Sequence, residues 1–153
     1  MRKSAAAGWI LAVLLFGAAY LTVPAPPADT AVLPETEEPP VHRDADLTLA
    51  ILDGGAVQTM TLADYLTGVV RGEMPASFEL EALKAQAAAE RSYVYYQLSK
   101  GRKDAHPDAD FCTDHTCCSA FLSESAAREK WGADFAAWND RVLQAVSATD
   151  GLV

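Results

Sequence analysis

The sequence lacks a clustered excess of lysine and arginine. Its 153 residues contain 12 Lys and Arg against 21 Asp and Glu, which gives a formal net charge of −9. Binding to nucleic acid needs clustered cations that face the phosphates, so this composition argues against a nucleic-acid partner. A mostly neutral polymer, bound through hydrogen bonds and stacking on sugar faces, stays compatible with this charge.

Half of the residues are hydrophobic, but a large part of that share lies in one N-terminal run. Residues 5–23 are apolar and follow Arg2 and Lys3. A helix of about 19 residues is long enough to cross a hydrocarbon core of ~30 Å, and the cations stay on the cytoplasmic side. We therefore predict a signal-anchor helix over residues 1–23, a single pass through the cell membrane and an extracytoplasmic domain. The alternative is a cleaved signal peptide, although no clean Ala-x-Ala site follows.

Residues 24–46 have few large apolar side chains and carry six of the eight prolines, together with several Asp and Glu. Such a segment cannot bury enough apolar surface to offset its ordering entropy. We predict an extended, acidic, extracytoplasmic linker here. Residues 47–153 are left for one folded domain of about a hundred residues, which is near the usual domain size.

The start of this domain has the pattern of a hairpin followed by a helix. The short apolar runs 47–52 and 56–60 flank Asp53-Gly54-Gly55, which predicts a β-hairpin whose turn tolerates positive φ. Thr61 with Asp64 three residues later predicts a capped helix that ends at Met74, before Pro75. The apolar face of that helix comprises Leu62, Tyr65, Leu66, Val69 and Val70.

Further helices follow. A second helix is predicted from Glu79 to Lys100 and ends at Gly101. Residues 102–122 are polar and predict a loop, after which Ser123 or Ser125 can cap more helix to about Ser147, with Gly132 as a candidate break. The predicted fold class is α+β, with an N-terminal β-hairpin followed mostly by helices.

Residues 62–93 contain a long ungapped pattern, Glu73-Met-Pro-Ala-Ser-Phe-Glu-Leu-Glu-Ala-Leu-Lys-Ala-Gln-Ala87, which continues to Arg91. This pattern resembles the signature region of the stage II sporulation protein D family, SpoIID/LytB. The resemblance covers about residues 47–153. Family members continue into a largely β half, so the resemblance implies the first half of a larger SpoIID-type domain, truncated at its C-terminus.

The resemblance also implies a function. Glu73 matches the catalytic glutamate of a lytic transglycosylase, which cleaves MurNAc–GlcNAc bonds of peptide-denuded glycan to 1,6-anhydro-MurNAc ends during engulfment in endospore formation. The implied partners are peptidoglycan glycan strands, a sporulation amidase and membrane partners, and catalysis needs no cofactor. The alternatives are a non-catalytic amidase enhancer, a glycan-binding cell-wall protein or an inactive fragment.

Glu73 also has a local chemical argument. It closes the first predicted helix beside apolar Val69, Val70, Met74 and Phe78. Desolvation penalises a carboxylate, so a carboxyl in such surroundings tends to stay protonated, as a general acid requires. Most acids in a sequence are solvated surface charges, and composition alone would not single this one out.

Three polar residues follow in the same signature: Lys84, Gln86 and Arg91. Gln86 can hydrogen-bond an acetamido or hydroxyl group, and the two cations can reach a lactyl carboxylate or orient Glu73. We predict all three as substrate-binding residues, with Arg91 and Gln86 ranked above Lys84. The simpler interpretations are a solvated helix face for Lys84 and an ion pair with Glu90 for Arg91.

The polar loop concentrates metal-binding side chains. Cysteines and histidines suit Zn²⁺ in a tetrahedral site, and some members of the resembled family are expected to bind zinc here. We predict a structural zinc on His106, Cys112, Cys118 and His115, with Cys117 as the alternative fourth ligand. A disulfide between Cys112 and Cys118 is the competing interpretation, because an exported chain meets oxidising conditions.

Two tryptophans close the list of candidates. Trp131 and Trp138 are seven residues apart and would share one helix face. Aromatic residues at helical spacing are more often core residues than binding residues, so packing is the favoured interpretation.

Overall fold

The computed structural model describes residues 43–153, and the fold of this part is α+β, as predicted. The predicted signal-anchor over residues 1–23 and nearly all of the predicted linker lie outside the described residues. From residue 43 onward, the structure contains no helix that is long and apolar enough to cross a membrane. In chain order the elements are β1 (Thr48–Asp53), β2 (Ala56–Thr61), α1 (Leu62–Glu73), α2 (Leu80–Lys100), β3 (Phe111–Cys112), α3 (Glu124–Trp131), a 3-10 turn (Gly132–Asp134) and α4 (Phe135–Ala148).

The predicted hairpin is confirmed. Strands β1 and β2 pair antiparallel, and Asp53 lies opposite Ala56 at the turn. Gly54 and Gly55 form that turn with φ values of +56° and +89°. Left-handed φ values at both central positions favour glycine and match the twist of the two strands.

A short third strand was not predicted. Strand β3 lies in the loop over residues 102–122 and pairs parallel with β1, where Ile51 lies opposite Phe111. The sheet order is β2-β1-β3, and Phe111 is fully buried. A strand of two residues is too short to show an alternating pattern, so only its long-range pairing reveals it.

Helix α1 forms as predicted. Thr61 caps it, because its hydroxyl oxygen accepts a 3.1 Å hydrogen bond from the Asp64 N–H. The helix ends at Glu73, and Met74 is extended before Pro75. The predicted apolar face is fully buried: Leu62, Tyr65, Leu66, Val69 and Val70 are each 0% exposed.

The later helices also agree with the prediction. Gly101 ends α2 with φ +84°, and Ser123 caps α3 by accepting a 3.2 Å hydrogen bond from the Ala126 N–H. Gly132, with φ +53°, ends α3, and the 3-10 turn then leads into α4. Helices α1, α2 and α4 pack against one another around the core.

The folded part begins before residue 47, the start that we predicted. Asp44 is 2% exposed, its carboxylate pairs with Arg91, and its N–H donates a 2.7 Å hydrogen bond to Asp150. Residues 43–46 form a turn against the core. The acidic composition of residues 24–46 favoured a linker, but one of these acids, Asp44, has a buried partner in Arg91.

The connection between α1 and α2 is held from α4. The Arg141 guanidinium donates hydrogen bonds of 3.1 and 2.5 Å to the carbonyl oxygens of Ala76 and Phe78. This contact fixes the Met-Pro turn that directly follows Glu73.

Candidate active site and metal site

Glu73 lies at the C-terminal end of α1 and is exposed. Our prediction of apolar surroundings for its carboxyl is therefore wrong. Val69 and Val70 are buried one turn earlier, but the helix leaves the core at Glu73 and its side chain emerges at the surface. Its Oε1 accepts a 2.6 Å hydrogen bond from the Ala120 N–H, which connects the carboxyl to the segment before α3.

Residues 119–122, called here the 119–122 segment, lie directly on α1. The Leu122 N–H donates a 2.9 Å hydrogen bond to the Gly68 carbonyl. A Cβ added at Gly68 would lie 2.1 Å from the Phe121 ring, and one at Gly72 would lie 2.5 Å from the Ala120 oxygen. Both glycines therefore permit the close approach that brings the Ala120 N–H to Glu73.

Glu73 borders an open cleft of about 510 Å³ between the end of α1 and the helices that follow the 119–122 segment. The lining of the cleft includes Trp131 and Trp138, whose rings meet edge to face with centroids 5.8 Å apart. Glu73 is the one carboxylate among the lining residues, which are Arg71, Gly72, Glu73, Met74, Pro75, Ala76, Ser77, Lys130, Trp131 and Trp138.

Two cations border this cleft, and they differ in burial and in hydrogen bonding. Arg71 is 8% exposed, and its guanidinium donates hydrogen bonds of 2.9 and 2.5 Å to Asn139 Oδ1. Burial lowers the pKa of Arg71. Lys130 is exposed and makes no hydrogen bond or ion pair within residues 43–153. Lys130 is therefore the cation available to an anionic ligand, and no sequence pattern indicated it.

The predicted substrate-binding residues lie elsewhere. Lys84 forms a 2.8 Å ion pair with Glu81 on the surface of α2. Gln86 is half-buried on α2 and makes no hydrogen bond in the described part of the chain. None of Lys84, Gln86 and Arg91 lines the Glu73 cleft.

Arg91 contradicts its prediction most clearly, because its side chain is fully buried. Its Nε and Nη2 donate hydrogen bonds of 2.7 and 2.6 Å to the two Asp44 carboxylate oxygens, and its Nη1 donates a 2.8 Å hydrogen bond to the Leu152 carbonyl. A guanidinium in this position cannot reach a glycan. Its ion-pair partner is Asp44 and not Glu90, the neighbour considered from the sequence.

Glu90 is a further functional candidate, and it was not among the site residues predicted from the sequence. It is 7% exposed and lies on the buried face of α2, with Leu83 and Ala87 before it and Val94 after it. The Ser119 hydroxyl donates a 2.6 Å hydrogen bond to Glu90 Oε1. Burial raises the pKa of Glu90, the Ser119 hydrogen bond lowers it and the negative charge of Glu73 raises it. The sequence did contain a signal for this residue, because Glu90 occupies a position on the apolar face of α2.

The loop brings four metal-binding side chains together: His106, Cys112, Cys117 and Cys118. Their ligand atoms all lie within 4.8 Å of one another. Ligand atoms around a tetrahedral zinc ion lie roughly 3.5–4 Å apart, given Zn–S near 2.3 Å and Zn–N near 2.0–2.1 Å. The donor set therefore fits one zinc ion, and none of the three cysteines is in a disulfide.

His115, which we predicted as a ligand, is not part of this cluster. Its side chain is 76% exposed and lies 3.9 Å from Asp114. Cys117 takes its place, because the N–H groups of Cys117 and Cys118 both donate to the Asp114 carbonyl, at 3.0 and 2.8 Å. This tight turn brings two consecutive sulfurs to one site, a geometry that residue spacing did not indicate.

His106 has the hydrogen bond expected of a metal ligand. It is 2% exposed, and its Nδ1 lies 2.9 Å from the Ala109 carbonyl oxygen. A carbonyl accepts but does not donate, so Nδ1 is the donor in this contact and Nε2 is the nitrogen that can bind a metal. Nε2 lies 3.4 Å from Cys118 Sγ and thus faces the thiols.

The sequence comparisons identify the family. The family model for SpoIID, the stage II sporulation protein family, matches residues 53–153. The chain therefore belongs to the SpoIID family. This membership supports a role in sporulation that is related to the cell wall.

Two named relatives agree with that assignment. Stage II sporulation protein D of Bacillus subtilis (strain 168) is 29% identical over 114 residues, which cover 74% of this chain and 31% of that protein. Stage II sporulation protein D of Bacillus amyloliquefaciens is 31% identical over 98 residues, which cover 64% of this chain and 28% of that protein. An uncharacterized protein of Brachyspira hyodysenteriae is 37% identical over 59 residues, 39% of this chain and 16% of that protein. The chain spans less than a third of the length of the two Bacillus proteins.

Proposed function

We propose that this protein is a peptidoglycan lytic transglycosylase that cleaves MurNAc–GlcNAc bonds of peptide-denuded glycan during spore engulfment. The observation that supports it is a cleft whose lining combines one exposed carboxylate, Glu73, with two tryptophans, Trp131 and Trp138. A glycan presents apolar sugar faces and exocyclic polar groups. Aromatic rings and a single acid suit both features.

One carboxyl group suffices for this reaction. The Ala120 N–H occupies Glu73 Oε1 and leaves Oε2 to hand a proton to the glycosidic oxygen. As the bond from C1 to that oxygen breaks, GlcNAc departs with a hydroxyl at C4. The Glu73 carboxylate then takes the proton of the MurNAc C6 hydroxyl, whose oxygen bonds to C1 and closes the 1,6-anhydro ring. The nucleophile belongs to the same sugar, so its attack has the proximity advantage of an intramolecular step.

The cleft fits hydrolysis less well. Hydrolytic glycosidases commonly use two carboxyl groups that face each other across the scissile bond and manage a water molecule or a covalent intermediate. Glu90 is near Glu73, but its carboxyl is buried against Ser119 and does not line the cleft. The arrangement therefore favours transglycosylation.

The cleft walls suggest how a glycan binds. Trp138 is half-buried and presents ring surface on which a sugar can stack, whereas Trp131 packs into the core and supports it. Packing was the predicted role of both rings, and it fits Trp131 better than Trp138. Lys130 can pair with a lactyl carboxylate, which carries a free charge only where the stem peptide has been removed.

We propose a structural zinc at His106, Cys112, Cys117 and Cys118. Zinc would supply rigidity at this point, because its four bonds would join both ends of a loop that otherwise has one two-residue strand. Cys118 directly precedes the 119–122 segment, so a firm loop also steadies the Ala120 N–H. Protein purified without chelator should carry one zinc per chain, and a metal-free preparation would refute the site.

The predicted cellular setting forms part of this proposal. A membrane anchor over residues 5–23 would hold the domain outside the cytoplasm, beside the peptidoglycan. A sporulation amidase would act first, because it removes stem peptides and leaves the denuded glycan. Membrane proteins of the same process are the remaining proposed partners.

Product analysis tests the proposed reaction. Denuded glycan strands are incubated with wild-type protein and with Glu73→Gln, and mass spectrometry distinguishes anhydro-MurNAc ends from reducing ends. Wild-type protein should give anhydro ends, and Glu73→Gln should give roughly 10²–10⁴ times fewer. Reducing ends would indicate a hydrolase. Stimulation of an amidase by both proteins, without any cleavage, would favour the non-catalytic alternative.

A further inference from the structure

A second carboxyl group lies buried close to Glu73, and the proposed reaction does not use it. Glu90 is 7% exposed, and the charge of Glu73 is near enough to raise its pKa, although burial is the larger cause. Withdrawal of a carboxyl group from water costs free energy unless it is hydrogen-bonded. The hydrogen bond that Glu90 accepts comes from Ser119, a residue of the segment that contacts Glu73.

The two carboxyls hold consecutive residues of the 119–122 segment. Glu90 Oε1 accepts from the Ser119 hydroxyl, and Glu73 Oε1 accepts from the Ala120 N–H, both at 2.6 Å. The peptide bond between Ser119 and Ala120 therefore lies between two acids. Ser119 and Ala120 are covalent neighbours, so a displacement of Ser119 that breaks its hydrogen bond with Glu90 also displaces the Ala120 N–H from Glu73.

The segment is held differently by its two neighbouring helices. On α1 it is fixed by the Leu122 hydrogen bond to the Gly68 carbonyl and by close packing over Gly72. On α2, the Ser119–Glu90 bond is the one hydrogen bond that it makes within the described residues. Without that bond the segment would keep its contacts with α1 and its attachment to Cys118, but it would lose its hydrogen bond to α2.

We propose that Glu90 is a positioning residue for Glu73 and acts through the Ser119 hydroxyl and the Ala120 N–H. The inference rests on the proposed catalytic role of Glu73. When Ala120 holds Oε1, the other oxygen of the carboxyl is directed to the substrate in one orientation. Misplacement of a catalytic group by about 1 Å can cost roughly 10²-fold in rate. The position of Ser119 and Ala120 therefore matters for catalysis.

Kinetics on denuded glycan test the role with paired substitutions. Glu90→Leu removes the acceptor and Ser119→Ala removes the donor, and each should lower kcat roughly ten- to hundredfold with KM changed less than about twofold. Glu90→Gln and Ser119→Thr keep an acceptor and a donor and should retain most of the wild-type kcat. In the double variant Glu90→Leu with Ser119→Ala, kcat should fall no further than in the single variant with the smaller loss. The two substitutions remove the same hydrogen bond, so their effects should not add.

Val94→Ala is the matched control. Val94 lies one turn after Glu90 on the same buried face of α2 and is fully buried, so its truncation destabilises the fold but removes neither partner of the Ser119–Glu90 hydrogen bond. Its kcat should equal that of wild type under conditions where the protein is folded. An equal loss in Val94→Ala would assign the Glu90 effect to general destabilisation and overturn the proposal.

Amide hydrogen exchange measured by NMR gives a readout that needs no activity. The Ala120 amide should be protected in wild type, Glu90→Gln and Ser119→Thr, and should exchange roughly tenfold faster in Glu90→Leu and Ser119→Ala. If wild type forms no anhydro product, the proposed function fails. The exchange pattern then decides by itself whether the Ser119–Glu90 hydrogen bond positions the Ala120 N–H. The proposal is overturned if Ala120 exchange is unchanged in Glu90→Leu, or if Glu90→Gln loses as much kcat as Glu90→Leu.

Discussion

Glu73 and Arg91 belong to one sequence signature but lie in opposite environments. Glu73 is exposed at a cleft and accepts a hydrogen bond from the backbone N–H of Ala120. Arg91 is 0% exposed, and its guanidinium is surrounded by Asp44, Leu152 and Thr149. The difference shows that one signature can combine a residue suited to chemistry with a residue that assembles the fold.

The Arg91 region joins distant parts of the chain. Asp44 precedes β1 and Leu152 follows α4, and Arg91 on α2 binds both. The Asp44 N–H also donates to Asp150, which closes the same contact. Arg91 thus connects the start of the described chain to its end, whereas Glu73 Oε1 binds one further part of the chain, the 119–122 segment.

The substitution Arg91→Met should have the largest effect, and it tests whether Arg91 is structural and Glu73 is not. Removal of one partner from a buried ion pair leaves an uncompensated charge, here that of Asp44, and should cost about 3–5 kcal/mol of unfolding free energy. Urea denaturation measures this loss. Asp44→Asn combined with Arg91→Met should cost less than the sum of the two single substitutions. Near-normal stability together with lost glycan cleavage would show that Arg91 acts on substrate after all.

Gly72→Ala tests the Glu73 side. The new Cβ would lie 2.5 Å from the Ala120 oxygen, so the 119–122 segment must shift and carry the Ala120 N–H with it. We expect kcat to fall roughly tenfold or more, because a small displacement of a positioning group is costly. Helix propensity alone would favour alanine by about 1 kcal/mol, and Ala85→Gly on the exposed surface of α2 measures that contribution. Unchanged kcat would mean that the Ala120 contact is dispensable.

A smaller effect is expected from Trp138→Ala. Loss of a stacking surface should weaken binding of substrate and transition state alike, so KM should rise about tenfold with kcat nearly constant. Trp138→Phe keeps an aromatic face and should recover most of the affinity. If kcat falls while KM stays constant, Trp138 acts on the geometry of Glu73 and not on glycan binding.

Lys84→Ala should give the smallest change. Its ion pair with Glu81 lies at the surface, and such pairs contribute about 0–1 kcal/mol. Thermal unfolding should be almost unaltered, and glycan cleavage should stay at the wild-type rate. A clear loss of cleavage would restore Lys84 to the substrate-binding set and weaken the view that Lys130 is the cation of the cleft.

Local features of the sequence were sufficient for most of the fold. The hairpin follows from Gly54 and Gly55, and the limits of α1 follow from Thr61 and Pro75. Each of these effects acts over a few residues, through φ preferences, a side-chain cap or a steric restriction. The position of Glu73 at a helix end followed from the same local rules.

The site was only partly predictable, because exposure and partners depend on packing. Cys117 replaces His115 in the cluster since a turn at Asp114 aligns two consecutive sulfurs. Trp138 lines the Glu73 cleft because α4 packs beside the end of α1. Neither relation has a signature in residue spacing.

By itself, the sequence determined the types and limits of the helices, the hairpin turn, the SpoIID signature and the acid at its head. Tertiary structure decided which charged residues are buried, as for Arg91 with Asp44, and which ones share a segment, as for Glu73 and Glu90. The physical reason is range. Propensities and caps act between neighbours in the chain, whereas burial and pairing depend on residues that only the folded chain brings together.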